Sequence, residues 1–507
     1  MNRRRFLAAA GAAIAASTVD ARLFAAARFR RHNLGDQKAS AKAVDSYKKA
    51  VAAMLALPPE SPHNWYRNAL IHMLDCPHGN WWFLPWHRGY LGWFEQTCRA
   101  VSKDPDFALP YWDWTATTKV PDVFYDGVLN PVGSQAYLAS YAAFEKAFRN
   151  PLSAFWKSLS AQQLKVLTPR FQTFDEFWDS LGPAFSPRPQ ARGLKKNQRF
   201  DSSTAAAVAI RTIRAALAPT AFTDFGSAKA AQHSDGVGNA ILEGQPHNNV
   251  HGAVGGFMGD FLSPVDPVFF AHHANIDRLW DAWTRKQQKL NLPTLPPVSD
   301  LGTWSAEPFL FFVDAGGKPE TTHATAGAYA TIGAFDYDYA PGSGEDVVTN
   351  AVPAPTPGPS FEGTVSRPGV GPGTPGVASA GAFEPLRQAN TSGRTVFARI
   401  TLRRPPNLPR GTKFHVTVNA PDGTTASPET PGYAGTFRFF GTPHHPEGPV
   451  YITIRLNDAV AQLGAAGAAG PATPLRIQVH LEAPPQASTA SADSLTTDLL
   501  AVQVGTF

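Results

Sequence analysis

The sequence predicts a mainly α-helical domain followed by a C-terminal all-β sandwich domain. Apolar residues recur at helical spacing through the first 290 of the 507 residues. A Pro-, Gly- and Ser-rich stretch over 341–385 then interrupts every periodic pattern, which is typical of a linker. After it, short segments rich in β-branched residues alternate apolar and polar positions, as strands do. A chain of this length exceeds the size of a single core, which agrees with two domains.

Six segments of the first domain, predicted over 28–340, carry the helical pattern. They are 37–56, 65–74, 85–101, 203–218, 246–254 and 266–288. The strand pattern occurs five times after residue 386, in "TVFARITLRR", "KFHVTVNA", "GTFRFF", "VYITIRL" and "LRIQVHLEA". Short strands with turn signals between them predict a β-sandwich with a tail over 386–507.

The N-terminus, "MNRRRFLAAAGAAIAAS", resembles a twin-arginine export signal. It predicts a signal peptide over 1–27, cleaved after Ala21 or Ala27, and a periplasmic or secreted protein. The alternative is a basic, Ala-rich N-terminal helix. No other segment is long and apolar enough to span a membrane, so we expect no membrane partner.

Charge and cysteine content exclude two further classes. The net charge of +5 has no basic run behind it, so we expect no nucleic-acid partner. Only two cysteines occur, Cys76 and Cys98, and a disulfide framework therefore does not hold the protein together.

Six of the 15 histidines lie in the aromatic helical regions, in two groups of three. His247 and His251 are four apart and share a helix face, while His87 and His273 lie on apolar faces. A buried imidazole without a partner costs roughly 1–3 kcal/mol, and metal ligation satisfies all six at once. The groups are His72, His78 and His87, and His247, His251 and His273.

Imidazole ligands suit zinc, copper, iron or nickel. A zinc hydrolase of the HExxH kind needs a glutamate inside the pair, where Asn248, Asn249 and Val250 stand. A blue-copper site needs a cysteine, histidines and often a methionine. Two groups of three histidines with no carboxylate between them best fit a pair of copper ions that binds dioxygen.

Three stretches resemble the copper signatures of tyrosinases and catechol oxidases, the type-3 copper polyphenol oxidases. They are "CPHGNWWFLPWHRGYLGWFE", "EGQPHNNVHGAVGG" and "SPVDPVFFAHHANIDRLW". "KDPDFALPYWDW" matches a segment between the copper motifs, and "FDYDY" looks like the tyrosine motif that closes the catalytic domain. The C-terminal segments resemble the C-terminal domain of plant polyphenol oxidases. The resemblance implies a four-helix bundle around two copper ions, with phenols and dioxygen as reactants.

The resemblance also implies roles for individual residues. The first three histidines would hold copper A and the second three copper B, and a thioether would join Cys76 to His78. The alternative is that Cys76 forms no thioether and only packs as a small buried hydrophobic residue. Cys98 matches no family role and is interpreted as a buried free thiol.

Around copper B, His272 is expected beside the ligands rather than on the metal. Asn275, Asp277 and Arg278 follow the family pattern and would orient ligands, with solvated roles as the alternative.

Glu243 and Asn248 occupy the places that hold a water for phenol deprotonation in tyrosinases, with a helix cap and a surface amide as the alternatives. Phe261 or Leu262 aligns with the residue that gates entry, and the sequence leaves the choice open.

The implied activity is oxidation of o-diphenols to o-quinones, with ortho-hydroxylation of monophenols. The alternative functions are an o-aminophenol oxidase and a haemocyanin-like dioxygen carrier. The sequence leaves open whether the protein forms homo-oligomers. A loop of the β-domain is expected to plug the site through Phe437, Phe439 or Phe440, which could equally be sandwich core.

Overall fold

The structure, a computed structural model, describes residues 27–352, 358–405, 408–441, 448–467, 470–484 and 495–507. It has a helical part and a C-terminal β part, as the sequence predicts. The predicted signal peptide lies outside the described residues except for Ala27. Among the described helices, none has the length and apolar character needed to cross a membrane.

The helical part begins and ends in a small parallel pair of strands, β1 (Phe29–Arg31) and β3 (Tyr337–Tyr339). A third short strand, β2 (Gly238–Asn239), lies just before the second group of histidines. The helices are α1 (Gln37–Ala56), α2 (Trp65–Asp75), α3 (Phe83–Ser102), α4 (Tyr141–Lys157), α5 (Ala161–Leu167), α6 (Phe174–Ala184), α7 (Ser202–Ala207), α8 (Ile210–Ala216), α9 (Phe222–Phe225), α10 (Asn248–Val254), α11 (Val268–Lys289), α12 (Val298–Ala306) and α13 (Asp346–Thr349).

Four of these helices carry histidines to a common centre: α2, α3, α10 and α11. Capping side chains fix where two of these helices begin. The side chain of Asn64 accepts from the amide of Tyr66 and so caps α2, and Asp266 accepts from the amide of Val268 at the start of α11. A single π-helical turn, Glu243–His247, leads into α10 and ends in the first histidine of the second group.

The β part forms one sheet, in the order β2-β10-β7-β12-β4-β6-β11-β8-β9, with β5 beside β12. It encloses its own apolar core, which two helices also cover. The sheet includes β2 of the helical part, paired in parallel with β10, so backbone hydrogen bonds join the two parts. Its further elements are β4 (Phe361–Arg367), β5 (Gly369–Val370), β6 (Gly376–Ala380), α14 (Phe383–Thr391), β7 (Val396–Arg403), β8 (Lys413–Val418), β9 (Tyr433–Phe437), β10 (Pro449–Arg455), α15 (Asn457–Ala465), β11 (Leu475–Glu482) and β12 (Thr497–Thr506).

The predicted linker over 341–385 is wrong for much of its length. Strands β4, β5 and β6 lie inside it, and β4 and β6 join the two halves of the sheet through β12 and β11. The Pro and Gly residues between β4 and β6 form their turns. Pairing with strands more than 90 residues away stabilises this segment, and such pairing is invisible in local composition.

Candidate metal centre

The structure brings all six predicted histidines together in two buried groups. His72, His78 and His87 offer ring nitrogens within 4.8 Å of one another, and so do His247, His251 and His273, joined by His272. Each of these seven side chains is at most 4% exposed.

Backbone carbonyls fix the tautomer of three of these imidazoles. A carbonyl oxygen only accepts, so the ring nitrogen Nδ1 that faces it carries the proton, and Nε2 keeps its lone pair. The pairs are His72 with Phe261 at 2.8 Å, His87 with Phe83 at 2.7 Å and His251 with Met258 at 2.6 Å.

Within each group, two Nε2 atoms face one another. Nε2 of His87 lies 3.4 Å from Nε2 of His72, and Nε2 of His251 lies 3.1 Å from Nε2 of His273. Both His72 and His87 lack a proton at Nε2, so a cation between these two rings accounts for their approach better than a hydrogen bond. Burial lowers the pKa of both His72 and His247 to about 3, which keeps the imidazoles neutral, the form that binds metals.

The two groups touch each other. The rings of His87 and His273 stack with centroids 4.3 Å apart, and those of His78 and His247 lie 5.6 Å apart. Ions held by the two groups would therefore be neighbours, as in a dinuclear centre.

Cys76 lies against His78 of the first group. Its sulfur is 3.4 Å from Nδ1 of His78, and the residue is fully buried. Burial raises the pKa of the Cys76 thiol well above its usual range. Cys98 is also buried and unpaired by a disulfide.

Glu243 is a buried carboxyl group beside the first group of histidines. It accepts from the amide of Gly79 at 2.7 Å and from the hydroxyl of Ser227 at 2.6 Å. Burial raises its pKa to about 7, even though both hydrogen bonds favour the ionised form. The alternative of a helix cap does not describe these contacts.

Asn248 is buried rather than a surface amide. Its carbonyl oxygen lies 2.8 Å from Nδ1 of His247, and its amide donates to the backbone carbonyl of Arg438 in the β part at 3.0 Å. With its oxygen directed at the imidazole, Asn248 places the proton of His247 on Nδ1 and leaves Nε2 unprotonated, as in His72, His87 and His251.

The predicted gate and plug residues differ in how they contact the histidines. The ring of Phe261 lies 5.6 Å from that of His78, and Leu262 is buried. Phe440 reaches into the centre, with its ring 4.5 Å from both His78 and His251.

The prediction of Phe437 or Phe439 as a plug is wrong. Phe437 lies on β9 and stacks on Phe414 at 5.1 Å, and Phe439 lies 5.5 Å from the same ring, so both pack in the β part. Strand alternation turns Phe437 inward, as the alternative interpretation allowed.

Asn275, Asp277 and Arg278 are buried, which excludes the solvated roles. Asp277 accepts from Nε of Arg88 at 2.7 Å, from Nη1 of Arg31 at 3.4 Å and from Tyr339 at 2.7 Å, and also from Tyr337. It therefore fastens the "FDYDY" segment to the helix that carries His273.

The matching family model is the common central domain of tyrosinase, over residues 45–286. It spans both histidine groups. Residues 45–286 form a tyrosinase central domain. The family uses a dinuclear copper centre, and the two histidine groups of this tyrosinase domain are consistent with such a site.

Curated relatives of the tyrosinase domain come from plants and bacteria. (+)-Larreatricin hydroxylase of Larrea tridentata is 31% identical over 47% of this chain and 38% of its own length. The latent polyphenol oxidase of Prunus armeniaca is 28% identical over 47% of this chain and 37% of its own. Tyrosinase HcTyr1 of a Hahella strain is 29% identical over 48% and 43%. The chain thus spans less than half the length of these relatives.

Solved structures share the fold beyond the tyrosinase domain. Latent apple tyrosinase covers 95% of this chain and 97% of its own, with a TM-score of 0.56 at 19% identity. A functional unit of octopus haemocyanin covers 94% and 99%, with a TM-score of 0.52 at 17% identity. The helical core with a C-terminal β-domain is therefore confirmed as the fold.

The sequence did not single out three residues that contact the site: Trp114, Ser227 and Arg438. Trp114 stands in the quoted "YWDW" segment, and its indole donates to His272 at 3.0 Å. Ser227 and Arg438 come from loops or strand ends distant in sequence, and only the fold reveals their positions.

Proposed function

We propose that this protein is a copper-dependent oxidase that converts o-diphenols to o-quinones with dioxygen and can first hydroxylate monophenols at the ortho position. The observation that supports it most is the close approach of Nε2 atoms of buried histidines in each of two adjacent groups. The named activities of the relatives agree with this reaction class.

His72, His78 and His87 would hold one copper, and His247, His251 and His273 the other. When bound, the two coppers supply the redox chemistry that joins two-electron phenol oxidation to dioxygen reduction. Glu243, whose pKa of about 7 leaves it partly ionised at neutral pH, would take the phenolic proton through a water. Asn248 would hold His247 in its ligating orientation. Covalent attachment of Cys76 to His78 would keep that ring fixed.

We propose that the β part covers the site in the full chain. Phe440 stands among the rings of His78, His251 and Phe261 and leaves little room there for a phenol. A cavity of about 740 Å³ between the two parts is lined by Phe440, Arg438 and Asn248, and offers a route from solvent to this cover. Displacing Phe440 toward the cavity would open the site.

A dioxygen carrier is the second candidate, since Phe440 shields the site as a carrier requires. The test measures oxygen uptake with catechol, tyrosine and o-aminophenol by the wild type and by Phe440→Ala at equal copper content. Phe439→Ala is the matched control, because the neighbouring ring packs in the β part.

We expect Phe440→Ala to oxidise catechol at least several-fold faster than the wild type, and Phe439→Ala to match the wild type. A Phe440→Ala variant that binds dioxygen and oxidises none of the three substrates would make the protein a carrier. Faster turnover of o-aminophenol than of catechol would make it an o-aminophenol oxidase.

Two further proposals concern processing. A Cys76–His78 thioether predicts that copper-loaded protein is two hydrogens lighter than its sequence, with the two residues in one cross-linked peptide. A Cys76 that can be alkylated in copper-loaded protein would refute the thioether.

Twin-arginine export predicts that replacing Arg3 and Arg4 with lysine keeps the protein in the cytoplasm, and unchanged secretion would contradict it.

A further inference from the structure

His272 is a fourth imidazole at the copper B group, and its tautomer is the reverse of that of His251. The indole Nε1 of Trp114 lies 3.0 Å from Nδ1 of His272. An indole N–H only donates, so Nδ1 of His272 is the acceptor and has no proton. The proton of the neutral ring is then on Nε2. In His251, by contrast, the carbonyl of Met258 places the proton on Nδ1.

The position of His272 would otherwise suit a ligand. A ring nitrogen of His272 lies within 4.8 Å of ring nitrogens of His247, His251 and His273. Its ring centroid is 4.8 Å from that of His251, and the side chain is fully buried. Among the described residues, its Nε2 has no hydrogen-bond partner. A free imidazole in this place would compete for the metal.

We propose that Trp114 locks His272 in the tautomer with Nε2 protonated and so keeps this fourth imidazole from ligating copper B. A catalytic metal needs an open coordination position, and three protein ligands leave one where four would fill it. Trp114 and His272 are thus positioning residues that preserve the position where substrate and dioxygen approach. This inference rests on the copper centre and not on the identity of the phenol.

The test replaces Trp114 by Phe, which keeps an aromatic ring and removes the N–H donor. Trp112→Phe is the matched control, because that indole donates to the carbonyl of Thr117 instead. We measure copper per chain, the rate at which a chelator removes copper, and catechol turnover, all in the Phe440→Ala background. In Trp114→Phe the ring can move its proton to Nδ1, and Nε2 becomes a fourth ligand.

We expect two coppers in every variant, with copper released about 10- to 100-fold more slowly and turnover lowered by a similar factor in Trp114→Phe alone. A mere packing role for Trp114 would make copper loss faster instead. The double variant Trp114→Phe/His272→Phe should restore wild-type copper release, because the extra ligand is gone.

Three results would overturn the inference. Trp114→Phe could release copper as fast as Trp112→Phe or faster. The double variant could keep the slow release. His272→Phe alone, which tests the ligand set without altering Trp114, could bind only one copper and so show that His272 is itself a ligand.

Discussion

Burial raises the pKa of Glu243 to about 7, against the hydrogen bonds from Ser227 and the amide of Gly79. Its carboxylate form, which can accept a proton, therefore gains population as the pH rises through 7. We expect Glu243→Gln to reduce tyrosine hydroxylation by at least about 10²-fold while catechol oxidation stays within a few-fold. The wild-type ratio of the two rates should rise with pH through about 7. Both rates are measured in the Phe440→Ala background.

An equal loss of both activities in Glu243→Gln would instead assign Glu243 a structural role. Ser227→Ala provides a second arm, because the Ser227 hydrogen bond lowers this pKa and its loss should move the pH midpoint upward. Ser46→Ala is the control, since that hydroxyl donates to Asp104 and not to Glu243.

His233 is buried between two carboxylates, 2.9 Å from Asp75 and 2.7 Å from Glu307. Burial favours the neutral ring, but these partners outweigh it and raise the pKa of His233 above 6.5. The ion pairs therefore stabilise the fold fully below pH 6.5, and this contribution is lost as the pH rises through the raised value.

We expect His233→Gln to lower the free energy of unfolding by about 3–5 kcal/mol at pH 6, since it leaves the buried carboxylate of Asp75 without its cation. The deficit should shrink at alkaline pH, where the wild type loses the same charge. Thermal unfolding at several pH values measures it, and a deficit that does not vary with pH would contradict the charged pair.

Single residues were predictable where spacing alone defines the chemistry. Five of the six histidines lie on helices or a helical turn whose faces follow from the sequence, His78 lies in the short segment between α2 and α3, and Phe440 was among three candidates. Ser227, His233 and Trp114 were not predictable as partners, because loops and a distant segment bring them to Glu243, Asp75 and His272. Local patterns contain no information about such contacts.

At the scale of elements, helix α10 and strand β9 meet where the two parts join. The side chain of Arg438, which follows β9, lies across Gly252 of α10. Its Nε donates to the side-chain oxygen Oδ1 of Asn249 at 3.3 Å. The amide of Asn249 donates to the carbonyl of Thr436 on β9 at 2.9 Å. This contact holds the segment that ends in Phe440 over the copper centre.

A methyl group on Gly252 would lie 2.4 Å from Cδ of Arg438, closer than packing allows. We expect Gly252→Ala to push the Phe440 segment away and to raise catechol turnover at equal copper content. Gly302→Ala is the control, because nothing lies within 4 Å of that position. Turnover unchanged from the wild type in Gly252→Ala would mean that this contact does not hold the cover.

Elements were predicted best where their own sequence is periodic. Helix α1 has the predicted bounds, whereas the predicted helix over 203–218 is divided into α7 and α8. Strands β4 to β6 were missed because Gly and Pro dominate their surroundings and their partners come from the end of the chain. The two-residue strand β2 is too short to produce a pattern.

At the scale of the whole molecule, the β part is also a structural partner of the tyrosinase domain. Strand β2 pairs with β10, and Tyr451 packs directly against Gly238. The backbone amide of Arg455 donates to the side-chain oxygen of Gln245 at 3.3 Å, and Gln245 stands two residues before His247. Removing the β part therefore exposes β2 and the turn that positions copper B.

We expect a chain ending at residue 345 to unfold at a lower temperature and to retain less copper than the full chain, whatever its turnover per copper. Thermal unfolding and copper analysis of the two chains measure this. Equal stability and equal copper retention would mean that the β part only covers the site. Phe440→Ala is consequently a cleaner test of the cover than truncation.

The central claim, two copper ions held by two groups of three histidines in an oxidase, is tested most directly by counting copper in active protein. Elemental analysis of the purified chain, with catechol oxidation followed on the same sample, should give two coppers per chain. His87→Ala and His251→Ala should each lose one copper and nearly all oxidation. One copper per chain in active wild-type protein, or stoichiometric zinc, would contradict the account.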